Sequence, residues 1–181
     1  MKRWRLNLKA FEKLIQKLST SPQKSKNKLP RAAQNREAGF WRLISDALKK
    51  SDRKIEATRI ESWAVPGVPD VVFCSEDGQF SFLELKAAKA HGPLALSPHQ
   101  VSWLTRHGHS QNCFVVLWAP VLLDNTYAGR SDLSTRMGIH LYRGSDATAL
   151  RMDGSLVVES MAIFEGPAYD WESFFALTCP L

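Results

Sequence analysis

The chain has 181 residues, is 44% hydrophobic, carries a net charge of +6 and contains three cysteines. That length holds one sizeable core with terminal additions, and no apolar run approaches the roughly twenty residues of a membrane span. The basic N-terminus lacks the apolar stretch of a secretory signal, and Cys74, Cys113 and Cys179 lack CxxC spacing, which argues against zinc or a disulfide framework. A cytoplasmic location is expected.

In chain order, Leu8, Phe11, Leu14, Ile15 and Leu18 recur at helical spacing and predict an amphipathic helix over residues 5–18. A Lys-, Ser-, Asn- and Pro-rich linker follows from Ser19 to Pro30. Asn35–Lys50 reads as the first core helix, with Phe40, Trp41, Ile44 and Leu48 inward, and Lys54–Trp63 as a strand. Two further strands, about Val71–Cys74 and Gln79–Lys86, flank an Asp77-Gly78 turn and predict a hairpin. Ser97 caps a helix running to His107, with Pro98 at its first position and Gly108 as a C-terminal stop. Cys113–Ala119 is apolar enough for a strand buried on both faces. Beyond Pro120 the pattern predicts a long loop (Leu122–Gly138), a strand (Ile139–Arg143) and a short helix (Asp170–Leu177), whose Trp171, Phe174 and Phe175 close the core.

The hairpin carries the chemistry. Side chains alternate across a strand, so Glu84 and Lys86 share a face with Phe82, while Leu83 and Leu85 point the other way. Whether Asp70 joins them depends on the turn. A two-residue loop of Asp77 and Gly78 sets Asp70 opposite Leu85; a three-residue loop, Glu76-Asp77-Gly78 with Gly78 left-handed, sets it opposite Glu84. A site containing both carboxylates therefore requires an odd loop or a bulge.

Two carboxylates suit a hard cation such as Mg²⁺, which takes oxygen ligands and keeps several waters. Such a cation polarises a phosphate and makes hydroxide near neutral pH. Asp70 and Glu84 are the candidate anchors, and the main-chain carbonyl of Leu85 offers a further ligand. Lys86 suits holding the attacking water or offsetting charge on the phosphate. For an isolated acid-x-Lys a solvated strand face is the commoner outcome, but here the pair sits within an apolar run.

Gly67-Val68-Pro69-Asp70, Leu83-Glu84-Leu85-Lys86 and Leu96-Ser97-Pro98-His99-Gln100 together resemble the PD-(D/E)xK nuclease superfamily. The likeness is greatest to its VRR-NUC and Holliday-junction-resolvase-like group, and it spans residues 35 to about 120. It implies an α/β fold: a restriction-endonuclease-like αβββαβ core with a central mixed sheet flanked by helices, plus N- and C-terminal additions. It implies Mg²⁺, with Mn²⁺ able to substitute, and hydrolysis of DNA to a 5′-phosphate and a 3′-hydroxyl, as in DNA repair or recombination. Glu37 matches the acid the family carries on its first helix, and Gln100 the glutamine of its Ser-x-x-Gln. The bland alternatives are a surface acid for Glu37, an exposed glutamine for Gln100 and a solvated loop lysine for Lys89.

Charge is unevenly spread. Residues 1–54 hold 16 Lys and Arg against 4 Asp and Glu, whereas residues 55–181 hold 8 against 14. A basic arm of this kind favours a phosphate backbone through counterion release, although any polyanion would also be attracted. Lys24, Lys26, Lys28 and Arg31, with Lys89, are the candidate nucleic-acid contacts. The expected organisation is a basic amphipathic helix and linker (1–34), the nuclease core (35–120) and a C-terminal extension packed on it (121–181). A homodimer is expected if the substrate is a symmetric junction, because two cuts need two sites.

Overall fold

The computed structural model describes residues 31–60, 66–109, 112–121 and 136–180. The predicted helix at 5–18, its linker, and Lys24, Lys26 and Lys28 lie outside them, as does most of the predicted loop at 122–138. Helix α1 (Arg31–Leu48) is followed by β1 (Ile55–Arg59), β2 (Val71–Ser75), β3 (Phe80–Ala87), α2 (Pro98–His107) and β4 (Cys113–Pro120). Then come β5 (Met137–Arg143), a 3-10 turn at Gly144–Asp146, α3 (Ala147–Met152), β6 (Ala162–Glu165) and α4 (Trp171–Thr178). The six strands form one mixed sheet in sequence order. β3 and β4 are parallel, and every other neighbouring pair is antiparallel. The parallel pair needs a crossover, which α2 supplies.

Alternation along the strands splits the core in two. Leu83, Leu85, Phe114, Val116, Ile139 and Leu141 face Phe40 and Ile44 of α1 and Phe174 and Phe175 of α4. Cys113, Val115, Leu117 and Tyr142 face Leu104 of α2 and Leu150 of α3. Helices thus cover both faces of the sheet, and strands buried on both sides are apolar nearly throughout, as CFVVLWA is. β5 and β6 continue the same sheet, and Phe174 and Phe175 complete the α1-side core.

Several expectations change. The predicted strand Lys54–Trp63 is Ile55–Arg59, with residues 61–65 outside the described set. Helix α3 and strand β6 were not predicted; at six and four residues they are too short to display a period. Gly108 ends α2 as its position predicts, in a right-handed conformation (φ −69°). A Cβ there would collide with the backbone of Gly144 and Ser145, so the glycine serves close packing. Among the described residues no helix is long and apolar enough to cross a membrane.

Candidate active site

The hairpin turn resolves the register. Val71 pairs with Leu83 and Cys74 with Phe80, Ser75 N–H donates to the Gln79 carbonyl at 3.0 Å, and Gly78 is left-handed at φ +81°. The loop is therefore the three-residue Glu76-Asp77-Gly78, and continuing the register sets Asp70 opposite Glu84. Asp70 is held there by the Leu85 N–H, which donates to its Oδ2 at 2.9 Å.

Backbone geometry frees a carbonyl beside it. Phe82 and Ala88 N–H groups bond toward β4, so Leu85, an odd step away, turns its N–H and C=O toward the β2 side. Its opposite position in the register is Pro69, which has no N–H to give. With the register continued past its last pair, Val71–Leu83, the Leu85 oxygen thus has no ladder donor among the described residues, beside the Asp70 and Glu84 carboxylates.

Glu84 is fully buried. Its Oε1 accepts from Lys86 Nζ at 2.7 Å and from Gln100 Nε2, while Oε2 is buried with no hydrogen-bond partner among the described residues. Burial pushes the Glu84 carboxyl up to about 8, against the lowering pull of Lys86. Burial alone would lower Lys86, but the carboxylates of Glu84, Asp70 and Glu37 outweigh it and hold the ammonium above its usual value. Glu37 on α1 stands 3.9 Å from Lys86 Nζ, and burial raises its carboxyl. It is half-buried beside the cluster rather than an ordinary surface acid.

Gln100 is not exposed either; a capping box dictates its orientation. Ser97 Oγ accepts from the Gln100 N–H at 3.1 Å, and the Ser97 N–H donates to Gln100 Oε1 at 2.8 Å. With Oε1 committed to the cap, Nε2 must face outward from it, and there it meets Glu84. The Ser-x-x-Gln spacing is therefore at once a helix start and a device for aiming one amide. Gly67 brings the two segments together: its φ is +96° and a Cβ would collide with the His99 backbone at the start of α2. Gly67→Ala is expected to cost about 1–3 kcal/mol in urea unfolding, from strain plus overpacking. An unchanged midpoint would mean that the turn and α2 are not tightly apposed.

Of the other candidates, Lys89 is exposed on the loop after β3, and Arg31 is the first residue of α1. His99, His107 and His109 are exposed. Sequence analysis missed His91 and His140. His91 bridges Ser155 Oγ (3.0 Å) and the Pro120 carbonyl (2.6 Å), fastening the β3–α2 connection to the C-terminal segment. His140, against it at 4.8 Å between rings, is lowered to about 4 by burial. Neither had a periodic or spacing signal: His91 meets residues 29 and 64 positions away, and its ring contact with His140 spans 49.

Among the described residues no three of His, Cys, Asp and Glu converge as a metal-holding group. A cation here would rest on two carboxylates, one carbonyl and water. The donors fit a hard ion: among the described residues the buried Glu84 Oε2 has no partner, and the Leu85 oxygen has no ladder donor. Compared with family models, curated proteins and solved structures, the chain matches none.

Proposed function

We propose that the chain is a Mg²⁺-dependent endonuclease of the PD-(D/E)xK type, built on a restriction-endonuclease-like core, that hydrolyses DNA phosphodiester bonds at branched sites. The observation that carries this reading is the hairpin register, which puts Asp70 opposite Glu84 with Lys86 on the same strand face. One residue of slip would send Asp70 to the opposite face. Helix, three strands, helix and strand over residues 31–120 agree with the resembled core.

Asp70, Glu84 and the Leu85 carbonyl would hold the cation. When bound, Mg²⁺ supplies a Lewis acid for the phosphate and a more acidic water. Lys86 is an ammonium with donors only, so it acts on water and phosphate oxygens and not on the cation. Glu84 anchors it, and Glu37 stands on its other side. Gln100 holds Glu84 Oε1 in place, which leaves Oε2 for the ion. The basic N-terminal third favours a polyanionic substrate.

The raised Glu84 carboxyl gives a signed pH dependence. Below about pH 8 it holds a proton that must leave before the oxygen can ligate. Mn²⁺ affinity is therefore expected to rise by up to about tenfold per pH unit between pH 6 and 8, then level off. Calorimetry at pH 7 in buffers of different ionisation enthalpy should find close to one proton released; none released would contradict the assignment.

The function is tested by incubating the protein with labelled duplex, single-stranded, flap and four-way-junction DNA, with Mg²⁺ or with EDTA. Mg²⁺-dependent cutting that favours the branched substrates is expected. Equal cutting of plain duplex would move the reading to a restriction-like or repair nuclease. Binding without cutting would reduce it to a nucleic-acid-binding module. Symmetric cutting of the junction further implies a homodimer, which light scattering checks.

A further inference from the structure

Between α2 and α3, on the sheet face that also carries Glu84 and Lys86, lies an open groove of about 510 Å³. Its rim carries Arg106, from the last turn of α2, and Arg151, from the last turn of α3. The groove is also lined by the hydroxyls of Ser102, Thr105 and Thr148, with Thr105 Oγ1 and Thr148 Oγ1 3.4 Å apart. Every polar side chain lining the groove is a guanidinium or a hydroxyl. Neither arginine has an ion pair or hydrogen bond among the described residues, whereas Arg53 and Lys54 are paired with Glu172 and Glu76. Asp146 and Asp153 flank α3 without pairing to either arginine. Residues 85–123, which include all of α2, contain no Asp or Glu.

We propose that this groove holds a backbone phosphate of the nucleic-acid substrate, with Arg106 and Arg151 as its two cationic ligands. The proposal rests on the nuclease reading and extends it to how the strand is held beyond the cut. Two planar guanidiniums and the hydroxyl donors of the same groove match the several oxygens of a phosphate, and no carboxylate competes for them. Helix α2 links the groove rigidly to the carboxylate cluster: Gln100 in its first turn touches Glu84, and Arg106 lies six residues on. Six residues advance about 9 Å along a helix axis, about the rise of two to three nucleotides on one strand. A strand whose scissile phosphate sits at Glu84 therefore reaches the groove a few nucleotides away. The contact is to the backbone, so it adds affinity without sequence preference.

The test compares the parent with the Arg106→Gln/Arg151→Gln and Arg106→Lys/Arg151→Lys double variants. Fluorescence anisotropy on duplex DNA is read across a salt series in EDTA, so that no cutting occurs. The Gln pair is expected to weaken binding equally across sequences and to flatten the log–log salt slope by about 0.9, the share of one phosphate contact. The Lys pair should keep most of the slope. Mn²⁺ affinity and melting temperature should match the parent in both. A salt slope and affinity unchanged in the Gln pair would overturn the proposal, as would failure of the parent to bind DNA. So would retained DNA binding with loss of sedimentation on phosphatidylserine vesicles, which would assign the groove to another anion. Binding that depends on both arginines in a parent that does not cut with Mg²⁺ would sink the nuclease reading and leave the groove standing. Cutting by a parent whose binding ignores them would do the reverse.

Discussion

Asp70→Asn and Glu84→Gln are each expected to lower the proposed DNA cleavage by about a thousandfold or more, with the fold and DNA binding surviving. Both changes keep volume and remove one ligand charge. A Lewis-acid cation supplies several kcal/mol of transition-state charge stabilisation, and each 1.36 kcal/mol is tenfold in rate, which sets the size of the loss. Glu84→Gln is expected to be the more severe, because Glu84 is fully buried and its Oε2 has no partner among the described residues. Circular dichroism and anisotropy on the same samples separate lost chemistry from lost structure. Cleavage within tenfold of the parent in either variant would remove that residue from the site.

Lys86→Ala separates a charge that acts on the phosphate from one that merely balances Glu84. Cleavage should fall by about a hundred- to a thousandfold, the cost of losing one preorganised donor at a developing charge. Metal binding should persist, with a shifted pH dependence. Lys86 pulls the Glu84 carboxyl down, so its removal lets burial push that carboxyl further up and moves proton release to higher pH. Raising the pH should therefore restore Mn²⁺ affinity without restoring cleavage. If alkaline pH restores both, Lys86 does no more than tune its neighbour.

What was legible in the sequence followed the range of the interaction. The hairpin register depends on three adjacent residues and on the need of Gly78 for positive φ, so the turn decided whether Asp70 could join Glu84. The capping box joins residues three apart, and the start of α2 was legible for the same reason. The contact of Glu37 with Lys86 spans 49 positions and depends on how α1 crosses β3, and so the residues alone left Glu37 open between a surface and a site acid. The link from His91 to Ser155 and the placing of Arg106 and Arg151 on one groove depend on the C-terminal segment joining the same sheet, and nothing local announces that. Gly108 was legible as the stop of α2, but not which of two uses it serves, left-handed backbone or close approach, because only packing distinguishes them.

Calorimetric titration of Mn²⁺ into the parent, Asp70→Asn and Glu84→Gln proteins at pH 8 tests the central claim most directly, because it needs no substrate. The parent is expected to bind the ion with proton release that disappears as the pH passes 8, and each variant to bind it at least about tenfold more weakly. If both variants bind Mn²⁺ as the parent does, Asp70 and Glu84 are not its ligands, and the account of this site is wrong.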